Sequence, residues 1–240
     1  MAQSQFFLIS LLIIFLVASH PINAVEYSVT NFAHTTPGGM IFNEKLGAEY
    51  TKQTMAVATE FIWNIFKQHT EKERKNVPTV RFFVEDKNDS YIAYKINDEI
   101  HFEDNYIESI SGGDIKRRFN GVLYHEMAHI WQWEQGCDCE TAANLTRGIA
   151  DFVRLKADYV PETGWAKPGD GEHWNEGYSV TARFLDYCNG VREGFVGELN
   201  KKMKNGYSDD FFVELLGMTP DQLWTNYKAE YEGNSSNIIN

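Results

Sequence analysis

The run Tyr124–Trp133 reads YHEMAHIWQW and contains H-E-x-x-H. On a helix, His125 and His129 lie one turn apart and about 40° apart around the axis. Both imidazoles can then be aimed at one ion. Zinc takes neutral imidazole nitrogen at about 2 Å. The glutamate between them, Glu126, sits beside the position where water would bind, and it can take a proton from water whose pKa a zinc ion lowers. The pattern nominates His125 and His129 as metal ligands, Glu126 as general base, Zn2+ as cofactor and metal-assisted hydrolysis as the reaction class. The bland alternative is a coincidence among the seven histidines of the chain. The helical context favours the metal reading, because the preceding residues Gly121 to Tyr124 are apolar enough to bury one side of the helix.

The third ligand decides more. One large zincin arrangement takes it from a second helix, as the glutamate of E-x-x-x-D, and the aspartate one turn later supports a ligand histidine from behind. The corresponding stretch here is RGIAD, Arg147 to Asp151. The aspartate is present and the glutamate is not. A guanidinium stays protonated and cannot ligate zinc. Three outcomes stay open. Asp151, at i+4 from Arg147 and on the same helix face, becomes the third metal ligand. Zinc is held weakly by two histidines and waters. Or Arg147 pairs with Glu126 or Asp151, replaces the charge of the metal and leaves an inactive fold.

Other residues are weaker candidates. Tyr178 is read as a core residue with a satisfied hydroxyl, with donation to a developing oxyanion as its second reading. His173 reads as a solvated loop histidine, and Trp131 and Trp133 as helix packing. His101 alternates with Ile100 and Phe102 and faces away from them. Arg183 and Asp186 read as a structural pair.

The elements that must position these residues follow from periodicity. EYSVTNF and GGMIFN read as short strands around a Pro-Gly-Gly turn. Glu44 to about Gln68 is helical, with Leu46, Tyr50, Met55, Ala58, Phe61 and Ile65 close to one stripe. TVRFFVE, YIAYKI and EIHFE read as strands, with a turn at DKNDS. SGGD at 111–114 supplies capping residues for a long helix carrying the motif, which a Gly-Cys-Asp-Cys break ends. A second helix runs from about Thr141 to Ala157. After a Pro/Gly-rich loop the chain is mostly helical. Strands first and helices later give an α+β fold.

At the scale of the whole chain, residues 1–24 contain the apolar run FFLISLLIIFLVAS and a small residue, Ala24, suited to cleavage. They read as a secretory signal peptide, although residues 2–5 carry no Lys or Arg. No later stretch is apolar enough to span a bilayer, so no membrane partner is expected after cleavage. The net charge of −12 repels phosphate backbones, which excludes nucleic acid as a partner. Three cysteines allow at most one internal bridge, with Cys137 or Cys139 paired to Cys188. Sequons at Asn88, Asn144 and Asn234 make a glycoprotein the expectation. Oligomeric state has no sequence signal.

Four segments, YHEMAHIWQW, GIADFVRLKA, GYSVTARFLDYC and LNKKMKNGYSDDFFVELLG, resemble the plant basic secretory protein family, also called peptidase of plants and bacteria. The resemblance covers nearly the whole region 25–240. It implies one zincin-like domain: a small N-terminal mixed sheet lobe, the HExxH helix, and a C-terminal helical lobe across a cleft. EIHFE would be the sheet edge lining that cleft, able to hold an extended peptide or protein substrate by strand pairing. It also implies a secreted zinc metallopeptidase, extracellular in the apoplast or cell wall, associated with plant defence, with His125 and His129 as ligands and Glu126 as base. There are two departures. The chain is acidic. And where the family reads I-E-G-I-A-D, this chain reads TRGIAD, so Arg147 stands at the place of the glutamate ligand. A catalytically inactive peptide- or protein-binding protein on the same cleft is therefore the second function to be tested.

Overall fold

The computed structural model describes residues 25–88, 90–134 and 139–235. The signal segment 1–24 lies outside the described residues, as do Cys137 and parts of the sequons at Asn88 and Asn234.

The fold is α+β, with a small mixed sheet and a majority of helix. The sheet holds β1 (Glu26–Asn31), β2 (Thr79–Glu85), β3 (Ala93–Ile96) and β4 (Glu99–Glu103) in the order β1-β2-β4-β3. β1 pairs parallel with β2 and β2 parallel with β4, while β3 and β4 form an antiparallel hairpin. The turn between them is Asn97–Asp98, and Asn97 takes φ +52° as a two-residue hairpin turn demands. Alternation along β2 and β4 sends Val80, Phe82, Val84, Ile100 and Phe102 into the core. His101 projects from the opposite face, where its Nδ1 lies 2.7 Å from Glu85.

Two sequence expectations are corrected here. GGMIFN is not a strand. Thr36 caps a short helix, α1 (Pro37–Ile41), by accepting from the Gly39 amide, and Pro37 opens its first turn. A π-helical turn at Phe42–Leu46 leads into α2 (Gly47–Ile65). The two glycines serve close approach: a Cβ at Gly38 would lie 1.9 Å from the Asp104 carbonyl oxygen, and one at Gly39 1.7 Å from that of Ala33. Second, EIHFE is not the sheet edge. It is β4, an interior strand, and the edge is the shorter β3.

After α3 (Asp104–Ser109), Asp114 caps α4 (Ile115–Trp131) by accepting from Arg117 N at 3.0 Å. α4 is buried almost all round, between α2 and the sheet on one side and α5 (Glu140–Lys156) on the other. α6 (Tyr178–Val191), α7 (Phe195–Lys202), α8 (Asp210–Leu216) and α9 (Pro220–Ser235) complete the helical part around Phe184, Phe195, Phe212 and Tyr227. One hydrophobic core runs through sheet and helices. No helix among the described residues is long and apolar enough to cross a membrane.

The expected bridge to Cys188 is also corrected. Cys139 is disulfide-bonded, whereas Cys188 is a free thiol, fully buried in α6. Arg183 and Asp186 do not pair. Asp186 takes Lys156 at 3.1 Å and Arg183 donates to the Ala166 carbonyl.

Candidate active site

α4 carries His125, Glu126 and His129 to the floor of a cleft of about 400 Å³, whose walls are β3, the first turns of α5 and the start of α6. The Nε2 atoms of His125 and His129 approach to 3.1 Å. Two nitrogens at tetrahedral corners of a zinc ion, each at about 2.0–2.1 Å, are separated by roughly 3.3 Å. The pair therefore fits two corners of such a site. Behind it, Nδ1 of His125 donates to Asp151 Oδ1 at 2.7 Å, which leaves Nε2 facing the cleft. Asp151 is 4 % exposed, projecting from α5 where that helix packs on α4. Gly121 permits the approach, since a Cβ there would meet Arg154 and Tyr159 at 2.8 Å.

Gln132, which sequence reasoning passed over, holds the second histidine. Its Nε2 lies 2.9 Å from Nδ1 of His129 and donates to the Thr146 carbonyl at 3.3 Å. Its buried Oε1 has no partner among the described residues. With the amide in this orientation His129 accepts at Nδ1 and donates from Nε2 to His125, so a continuous chain of hydrogen bonds runs from Gln132 to Asp151.

Electrostatics separate the three motif residues. Burial raises the Glu126 carboxyl above its ordinary range, partly opposed by His125 and Lys95. Burial works against a charged His125, but the hydrogen bond and charge of Asp151 outweigh it and the imidazole sits above its usual value. Burial, then His125, Lys95 and Arg147, hold His129 well below its usual value, as a neutral ligand requires.

Arg147 projects from α5 into the same cleft. It pairs with neither Glu126 nor Asp151. Its Nη1 donates to Asn144 Oδ1 at 3.0 Å, and its guanidinium carbon lies 5.8 Å from the centre of the Tyr178 ring. Among the described residues no group of three or more His, Cys, Asp or Glu side chains is placed to hold a metal ion. The described residues thus fit a two-histidine site and not a closed three-ligand set.

Tyr178 differs from its sequence reading. It is half exposed, and its ring stacks on His125 with centroids 6.0 Å apart and planes 14° from parallel. Gly177 at φ +86° and Tyr178 at φ +42° turn the chain into α6 and aim that ring. His173 is exposed away from this cleft, and Trp131 is buried against Trp63, as expected. On the opposite wall β3 contributes Ala93, Tyr94 and Lys95. Lys95 forms an ion pair with Glu134.

A family model described as "Peptidase of plants and bacteria" matches residues 22–227. A protein from Boswellia serrata named "Basic secretory protease" is 46% identical over 61 residues, which cover 25% of this chain and 70% of that protein. No solved structure matches.

Proposed function

The chain belongs to the family of peptidases of plants and bacteria, and from that premise we propose that it is a secreted zinc metallopeptidase of zincin-like organisation. It holds an extended peptide along the free edge of β3 and cleaves it beside the HExxH pair. The observation that carries this reading is the 3.1 Å approach of the two Nε2 atoms, braced by Asp151 on the far nitrogen of His125. His125 and His129 would hold the ion. Bound there, zinc supplies Lewis acidity toward the scissile carbonyl and lowers the pKa of water. Glu126, buried at the cleft floor, accepts the proton of the attacking water and returns it to the leaving amine. Asp151 orients His125 and Gln132 orients His129; the ligand role that spacing allowed Asp151 is the second assignment. Extracellular action in the apoplast or cell wall, and a part in plant defence, rest on the family resemblance.

A second reading is favoured by Arg147: a cleft that binds peptides or proteins without turnover. Zinc content of the purified secreted protein, with His125→Ala as control, and hydrolysis of a mixed peptide substrate, with Glu126→Gln as control, separate the two. Stoichiometric zinc lost in the first variant, and turnover lost by about 10²-fold or more in the second, support the peptidase. Peptide binding without zinc or turnover supports the binder. Arg147→Glu should then raise zinc affinity, because it restores a carboxylate one turn before Asp151.

A further inference from the structure

We infer that the cleft selects peptides presenting a carboxylate beside the histidine pair, and that Arg147 is its receptor. This rests on the peptide-in-cleft reading above and names what the peptide must carry.

The fixed cations among the described lining residues are Lys95 and Arg147. They are not equivalent. Lys95, on β3, is tucked in with its side chain 14 % exposed and is neutralised by Glu134. Arg147, on the facing wall, is exposed and has no carboxylate within ion-pair distance among the described residues. Asp151, one turn along the same helix, is occupied by His125. Asn144 takes one N–H of the guanidinium and the Tyr178 ring flanks it, so the side chain is oriented while most of its fork stays open. Tyr178 also stacks on His125, so the open fork and the histidine pair share one ring as a neighbour.

An oriented guanidinium flanked by an aromatic ring is a binding group for a planar anion, and a carboxylate matches its two-pronged geometry. Tyr91, Tyr94, Tyr178 and Tyr207 line the same cleft. The carboxylate has two sources in a peptide, an acidic side chain or the free C-terminus.

The test uses three alanine hexapeptides with a neutral coumarin label at the N-terminus: one with a single central glutamate and an amidated end, one without glutamate and with a free C-terminal carboxylate, and one neutral and amidated. Binding is read by fluorescence anisotropy on the wild-type chain, Arg147→Gln and Arg147→Lys. The wild type is expected to bind at least one carboxylate peptide about ten-fold or more tighter than the neutral one, as a charge-assisted hydrogen bond supports. Whichever carboxylate peptide wins identifies the source. Arg147→Gln should bind all three alike, and Arg147→Lys should keep only part of the preference. Equal affinity for the three in the wild type, or a preference that survives Arg147→Gln, overturns the inference and leaves the peptide cleft standing. No binding of any peptide overturns both.

Discussion

The two motif histidines are held from behind by different groups, and only one was legible in the sequence. Asp151 stands where the E-x-x-x-D pattern puts the aspartate that supports a ligand histidine, whereas its i+4 spacing from Arg147 suggests a third metal ligand. Gln132 could not be read from the sequence, because it lies just past the end of α4, where the chain turns extended and helical spacing no longer gives a direction. Its Oε1, without a partner among the described residues, lies beside a ring nitrogen that must carry a proton when Nε2 ligates a metal. Gln132→Leu removes both the donor and that latent acceptor. Zinc affinity, measured by competition with a chromophoric chelator, is expected to fall about 10–100-fold. The melting temperature should move by only a few degrees, since few polar contacts are lost. Unchanged affinity would mean that Gln132 merely fills space. Tyr178 was misread for a related reason: a tyrosine near the start of an apolar helix is ordinarily core, and nothing in GYSV announces the positive φ that turns it outward.

At the scale of elements, the site depends on how closely α5 can lie against its neighbours. Gly148 faces α6, and a Cβ there would stand 2.3 Å from Thr181 Cγ2 and 2.5 Å from its Cβ. Thr181 is itself buried and fixed, donating to the Trp174 carbonyl and accepting from Gly177 N. Neither side can yield without moving the 174–177 segment that aims Tyr178, or the helix that carries Asp151 and Arg147. Gly148→Ala is therefore expected to destabilise by about 1–3 kcal/mol through overpacking. The loss of peptide binding or turnover should exceed what the fraction unfolded explains. Gly190→Ala is the control. It lies in α6 with nothing within 4 Å of the added methyl, so helix propensity alone should leave it neutral or up to about 1 kcal/mol more stable. Denaturant unfolding of the two variants side by side checks the contrast. The sheet shows the limit of reading strands from sequence: TVRFFVE was legible by its Val and Phe content and EIHFE by its alternation, but which strand is an edge is set by pairing order, and that placed the four-residue β3 at the cleft.

Over the whole molecule, the α+β class was legible because strands cluster early and helices late, but the cysteine framework was not. Sequence distance disfavoured a bridge within GCDC and so pointed to Cys188. In the fold, Cys188 lies on the buried face of α6, in the hydrophobic core shared by sheet and helices, and is a free thiol. Burial pushes that thiol well above its ordinary pKa, so almost none of it is thiolate at neutral pH, and no reagent reaches it without an opening of the helical part. Iodoacetamide should thus leave Cys188 unmodified in the native protein over times that label it fully in denaturant without reductant, as peptide mapping can read. Under conditions where α6 reseals faster than the reagent reacts, the native labelling rate measures the free energy of that opening. Gly148→Ala should raise that rate, by about ten-fold for each 1.4 kcal/mol of stability lost, if α5 and α6 open together. Labelling of native protein at the denatured rate would contradict the burial. A Cys188 that resists alkylation even in denaturant, until reductant is added, would restore the long-range bridge that spacing alone had favoured.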